Sequence, residues 1–272
     1  MYEHLTTLCL DFDGTIMRYE DPPEHFHPDI VQALNGLRDH GVRWIANSGR
    51  TFEGQVEILL HTCEARGLTH WPVAIMSGEC FIHRLVGDTY EPMVEWNDRV
   101  HGRLASLQQQ LRDQHQAPLN ALIADYAPAG VYYREEALVF QMSGEEAQRQ
   151  QFIAGLLELL DGVDEAQLVQ NGEWISIVDR EVGKGNLLRA YLESEQQPAD
   201  SVLAVGDHGN DISMLDGSVT PHVACPGNAY GPVQDVVRRV GGYVAQGHGP
   251  TGTLEAIAHY FADRIVPAEY VQ

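Results

Sequence analysis

Asp11 and Asp13 stand two positions apart in Asp11-Phe12-Asp13-Gly14-Thr15, directly after the apolar run at 5–10. Two carboxylates so spaced can divide a displacement at phosphorus between them. One, ionised, attacks as nucleophile and splits a difficult hydrolysis into two transfers. The other protonates the leaving oxygen and later activates water. Asp11 suits the first role and Asp13 the second, while Gly14 lets backbone amides approach an anion closely. By itself the pattern also fits an acidic turn or a fragment of a calcium loop, so its chemistry depends on what the rest of the chain brings to it.

Three further groups complement it. Ser48, in Asn47-Ser48-Gly49-Arg50, offers a hydroxyl donor, and Lys184, between two glycines, can neutralise charge on a nucleophile and on phosphoryl oxygens. Gly206-Asp207-His208-Gly209-Asn210-Asp211 follows the apolar run 202–205. Its carboxylates, with Asp11, can hold Mg²⁺, which binds through a few carboxylates plus substrate phosphate and offsets repulsion between an anionic nucleophile and an anionic ester. Each group has an ordinary reading as turn serine, solvated lysine or acidic helix cap. All of them together, in this order and each at a strand end or helix start, form a set for phosphoryl transfer.

The hydrophobic pattern supplies the frame. Short buried strands are predicted at 5–10, 42–46 and 73–76, with helices over 28–40 and 52–66 between them. From Lys184 the alternation resumes, with helices over 186–195, 212–215, 230–240 and 252–262 and strands at 201–205 and 222–224. The middle differs. A helix over 98–115 precedes strand-like runs at 121–126, 131–134 and 137–142, then a helix over 145–160. Runs 167–170 and 174–178 are joined by Asn171-Gly172, a hairpin signal that makes them antiparallel. The expectation is an α/β fold: a Rossmann-like parallel sheet core from residues 1–81 and 180–272, interrupted by an inserted α+β cap domain at 82–179. Open parallel sheets bind ligands at the carboxyl ends of their strands, where Asp11, Ser48 and Asp207 fall.

Composition narrows the partners. The 272 residues carry a formal net charge of -22. Nucleic-acid binding is supplied by Lys and Arg neutralising phosphates, so it is not expected, nor is an anionic membrane surface. A small anionic substrate remains compatible, provided a few cations and a metal are concentrated in one cleft. Cys9, Cys63, Cys80 and Cys225 lack paired spacing, the thirteen histidines form no HExxH arrangement, and the first residues carry neither a basic region nor a long apolar run. A reducing, cytoplasmic setting is expected. Gly247-His248-Gly249-Pro250-Thr251-Gly252 matches a dinucleotide-binding fingerprint, but too little chain follows it for the rest of a βαβ unit, and it reads as a loop entering the last helix.

The set DFDGT, Ser before Gly-Arg, GKG and GDHGNDISML resembles the haloacid dehalogenase (HAD) superfamily of phosphatases, and the position and α+β character of the insert resemble the C2-type cap of its Cof-like subclass. The resemblance implies Asp11 as nucleophile and Asp13 as acid/base, Ser48, Lys184 and Asn210 at the phosphate, and Asp11, Asp13, Asp207 and Asp211 around Mg²⁺. Where many relatives carry Asn-Gly, this chain has Ser77-Gly78-Glu79. The implied activity is hydrolysis of a small phosphorylated metabolite, a sugar phosphate above all. The alternatives are transfer or mutase chemistry through the same intermediate, or a non-catalytic binding protein of the same fold.

Overall fold

The computed structural model describes residues 2–18, 25–134 and 137–261. Two compact units divide the chain, one running to Met93 and again from Gly183, the other spanning Val94–Val182. The first stretch holds β1 (Thr7–Leu10), α1 (Pro28–Asp39), β2 (Arg43–Asn47), α2 (Phe52–Arg66), β3 (Ala74–Ser77), β4 (Phe81–Val86) and β5 (Thr89–Pro92). The insert holds α3 (Val94–Gln110), a π-helical turn (Leu111–His115), α4 (Gln116–Tyr126), β6 (Gly130–Tyr133), β7 (Leu138–Gln141), α5 (Glu146–Leu159), β8 (Ala166–Asn171) and β9 (Trp174–Asp179). The chain then returns as α6 (Lys184–Ser194), β10 (Val202–Val205), α7 (Ile212–Leu215), β11 (His222–Cys225), α8 (Gly231–Arg239), β12 (Tyr243–Val244) and α9 (Pro250–Phe261).

The larger unit is built on a sheet of order β12-β11-β10-β1-β2-β3-β4-β5. Strands β12 through β3 are parallel, and β4 and β5 add antiparallel to the β3 edge. β1, β3 and β10 are buried at every position, as expected where both faces of a parallel sheet are covered. Helix boundaries follow local chemistry. Thr51 caps α2 by accepting from the Gly54 amide, and Gly67 ends it in the left-handed conformation, the usual N-cap and C-terminal devices. Phe26 fixes the core beside β1 and β2, meeting Phe12 edge-on at 4.9 Å and Trp44 at 5.9 Å.

Sheet register levels the site residues. Leu10 lies opposite Val205 on one side and Ala46 on the other, so Asp11, Gly206 and Asn47 follow at the same height. Strand order reverses at β1: β2 and β3 build to one side, β10 to β12 to the other. The crevice at such a reversal is where open α/β sheets bind ligands.

The insert is a separate α+β unit, with an antiparallel sheet β6-β7-β9-β8 and a core that includes Phe140, Phe152, Leu156, Ile175 and Ile177. Residues 121–126, predicted as a strand, belong to α4 instead. Leu119, Leu122, Ile123 and Tyr126 recur at three- and four-residue spacing and all pack into this core, with Tyr126 edge-on to Phe152 at 5.7 Å. Helical periodicity, masked by a short apolar run, decides the element. Pro118, which has no N–H to donate along a helix, falls just after the π-helical turn Leu111–His115. A second difference concerns residues 82–92, expected to open the insert. They form β4 and β5, which continue the main sheet from β3, so the second unit starts at Val94 and extends to Val182. The four cysteines are free thiols. Among the described residues, no helix is long and apolar enough to cross a membrane.

Candidate active site

Asp11 is the first residue beyond β1, its amide tied to the Val205 carbonyl at 3.1 Å. Lys184 opens α6 and is fully buried. Its ammonium lies 2.7 Å from Asp11 Oδ1 and 2.6 Å from Asp211 Oδ1. Burial disfavours that charge, but the combined pull of Asp11, Asp211 and Glu79 outweighs it and raises the lysine pKa. Asp211 uses its other oxygen, Oδ2, to accept from the amides of Asp207 and His208, each at 2.9 Å. A Cβ at Gly206 would fall 2.4 Å from Asp211 Cγ, which is why a glycine precedes Asp207.

Asp207 is buried at the mouth of β10, and its Oδ1 accepts from the Thr15 hydroxyl at 3.1 Å. Burial first, then the neighbouring Asp211, pushes its carboxyl up to about 7. Burial likewise holds Asp11 well above the usual carboxylate range, with Lys184 opposing and Asp211 and Asp207 reinforcing the shift. One oxygen from each of Asp11, Asp207 and Asp211 lies within 4.8 Å of the others. Oxygens so clustered fit a hard divalent cation, whose ligands are carboxylates and water.

Asp13, expected among the metal carboxylates, is not one of this cluster of three. Arg50 grips it with both prongs, Nε to Oδ2 and Nη2 to Oδ1, each at 2.7 Å. Ser48 is buried beyond β2, its amide donating to the Met76 carbonyl at 3.1 Å and its hydroxyl accepting from the Arg50 amide at 3.4 Å. Asn210 donates its side-chain amide to Glu79 Oε1 at 2.7 Å. Gly14 has a φ of 74°, a left-handed turn that glycine adopts without strain.

All five acidic and basic positions singled out from sequence, with Ser48 and Asn210, therefore fall on loops, short turns or a helix start at the carboxyl edge of one sheet. Sequence reasoning assigned no role to Arg50 and Glu79. The available signal was a charge within a few residues of the end of each of β2 and β3, at the same edge as Asp11. The glycine-rich loop at 247–252 is built for packing: Glu255 takes the amides of Gln246 and Gly247, each at 2.8 Å, and a Cβ on Gly252 would sit 2.2 Å from the Gly247 carbonyl oxygen. Those amides already have an anion of their own.

Comparison with known proteins places this geometry in a family. Solved structures share the fold along nearly the whole chain. The sucrose-phosphatase of Synechocystis sp. PCC6803, determined with sucrose and phosphate, superposes with a TM-score of 0.69 at 16% identity, covering 95% of this chain and 98% of that one. BT1666 of Bacteroides thetaiotaomicron, described among phosphatases of the HAD superfamily, gives 0.63 at 15% identity, covering 95% and 96%. The haloacid dehalogenase-like hydrolase yhjK of Bacillus subtilis gives 0.60 at 15% identity, covering 96% and 94%. At these identities the likeness is one of fold. No curated protein matches the sequence. The sequence model of the haloacid dehalogenase-like hydrolases matches residues 108–249, more than half of the chain and including Lys184 and the Gly206–Asp211 loop. The chain belongs to the haloacid dehalogenase-like hydrolases.

Proposed function

We propose that the protein is a Mg²⁺-dependent phosphomonoesterase that hydrolyses a small phosphorylated metabolite, a sugar phosphate above all, through a phospho-aspartyl intermediate on Asp11. A charge imbalance carries the reading. Three buried carboxylates, Asp11, Asp207 and Asp211, surround the single ammonium of Lys184, and burial together with their mutual repulsion raises the carboxyls of Asp11 and Asp207. Asp11 and Asp207 are the residues that would hold the cation. Asp211 has both oxygens engaged, so it would serve by fixing Lys184 and the loop. When bound, Mg²⁺ supplies charge neutralisation for the transferring group.

The chain's own residues account for the remaining steps. Asp11 attacks phosphorus, the ester P–O bond breaks, and the leaving oxygen takes a proton from Asp13. Lys184 neutralises nucleophile and phosphoryl oxygens, and the Ser48 hydroxyl with the loop amides around Gly14 binds the phosphoryl group. Asp13 then takes a proton from water, which attacks phosphorus and releases inorganic phosphate and Asp11. For these transfers one prong of Arg50 must let go of Asp13. The insert, residues 94–182, would act as a cap that helps choose the organic moiety. The strongly acidic chain supports a small-molecule substrate rather than a nucleic-acid or membrane partner.

The test is release of inorganic phosphate from a panel of phosphorylated sugars, nucleotides and cofactors, with Mg²⁺ and with excess chelator. Mg²⁺-dependent release from at least one small ester is expected. Silence across the panel, or full activity in chelator, overturns the proposal, and an isomeric ester appearing without free phosphate would mark a mutase.

A further inference from the structure

Glu79 occupies a position that backbone geometry would give to glycine. The Ser77 carbonyl accepts from the Cys80 amide at 3.0 Å across a tight turn whose central residues, Gly78 and Glu79, have φ of 58° and 60°. Two left-handed residues in a row suit Asn-Gly or Gly-Gly pairs. A long side chain there is strained, and such strain marks positions held for function.

The side chain is aimed at the site. Glu79 Oε1 accepts from Asn210 Nδ2 at 2.7 Å and lies 3.3 Å from where a Gly49 Cβ would be, beside Ser48. The Glu79 carbonyl accepts from the Gly183 amide at 2.7 Å, next to Lys184. Glu79 thus touches the loops that carry Ser48, Lys184 and Asn210. Its second oxygen, Oε2, has no hydrogen-bond partner among the described residues and is not sealed from solvent.

Substrate atoms that settle against this oxygen must be hydrogen-bond donors. A phosphoryl oxygen is an acceptor with negative charge, and like charges in contact are costly. A hydroxyl donates to a carboxylate in a short, strong bond. We propose that Glu79 is a specificity-determining residue that accepts a hydrogen bond from a hydroxyl of the substrate's organic moiety, selecting polyhydroxylated phosphate esters over esters without hydroxyls. The inference rests on the phosphomonoesterase reading and names its substrate class.

The test compares kcat/KM of the parent, Glu79→Gln and Glu79→Gly on hexose 6-phosphates and glycerol phosphate, with p-nitrophenyl phosphate as the hydroxyl-free ester. The hydroxylated-to-hydroxyl-free ratio is expected to fall about tenfold or more in Glu79→Gly, because sites built to bond a substrate hydroxyl discriminate strongly, and less in Glu79→Gln, which keeps a neutral acceptor. Glu79→Gly is expected to melt no lower than the parent, since glycine relieves the left-handed backbone. An unchanged ratio overturns the proposal while leaving the phosphatase reading intact. A lowered melting temperature with parallel losses on every ester would give Glu79 a purely structural role and also overturns it. No phosphate released by the parent from either kind of ester overturns both readings.

Discussion

Arg50 holds Asp13 by a two-pronged ion pair, Nε to Oδ2 at 2.7 Å and Nη2 to Oδ1 at 2.7 Å, across 37 residues of sequence. The planar guanidinium matches the carboxylate edge, and lysine has no equivalent fork. Arg50→Lys should therefore leave Asp13 poorly oriented. A positioned general acid/base contributes about 10²–10⁴-fold, and loss of orientation should lower kcat by at least about tenfold. The pair is partly exposed, so stability should change by no more than about 1 kcal/mol. Steady-state kinetics beside urea denaturation measures both; an unchanged kcat would remove Arg50 from the catalytic arrangement.

Asp11→Asn should abolish turnover and keep the fold, because an amide cannot form the acyl-phosphate and Lys184 retains Asp211 at 2.6 Å. Circular dichroism with a phosphate-release assay tests this. Substantial activity in the variant would refute the nucleophile assignment.

Lys184→Met should be among the most damaging substitutions for stability. It leaves Asp11 and Asp211 buried beside each other without their cation, and breaking a buried pair from one side costs about 3–5 kcal/mol. Adding Asp211→Asn to Lys184→Met should recover part of that loss. Urea midpoints of the two variants decide the matter, and an unshifted midpoint in the single variant would contradict it.

Stability and cation binding should depend on pH through Asp207. Its folded-state value is raised to about 7, against about 4 for an ordinary aspartate. Between these values the folded protein holds a proton that the unfolded chain has released. This group's stabilisation is thus complete below about 4 and is lost as pH rises through about 7. A bound cation must displace that proton, so the rise in Tm produced by Mg²⁺ should be small near pH 5 and grow through pH 7. Thermal melts over this range, with and without Mg²⁺, provide the check; a pH-independent shift would count against Asp207 as a ligand.

Gly252→Ala should destabilise the larger unit by about 1–3 kcal/mol, the usual range for overpacking. Its new Cβ would meet the Gly247 carbonyl oxygen at 2.2 Å and the Pro226 backbone at 2.9 Å. Wild-type stability in this variant would show that the loop yields more easily than its packing implies.

Much of the site was legible because its residues follow short apolar runs. Asp11 comes after β1, Ser48 after β2 and Asp207 soon after β10, and a parallel strand announces its own end by losing hydrophobicity. The alternation of helix and strand gave the α/β class for the same reason. Short apolar runs are ambiguous between strand and helix, which is where residues 121–126 misled. Residues 82–92 misled differently, because nothing local tells a hairpin strand which sheet it will join.

The sequence by itself determined the chemical inventory: the carboxylates, the lysine, the glycines that let chain segments approach, and the crossovers that make the sheet parallel. Tertiary structure alone decided the partners. Lys184 sits between Asp11 and Asp211, Arg50 takes Asp13, and Glu79 meets Asn210 from 131 residues away. Such pairs are set by strand register across long connections, and register depends on packing the whole core, which no local pattern of residues contains.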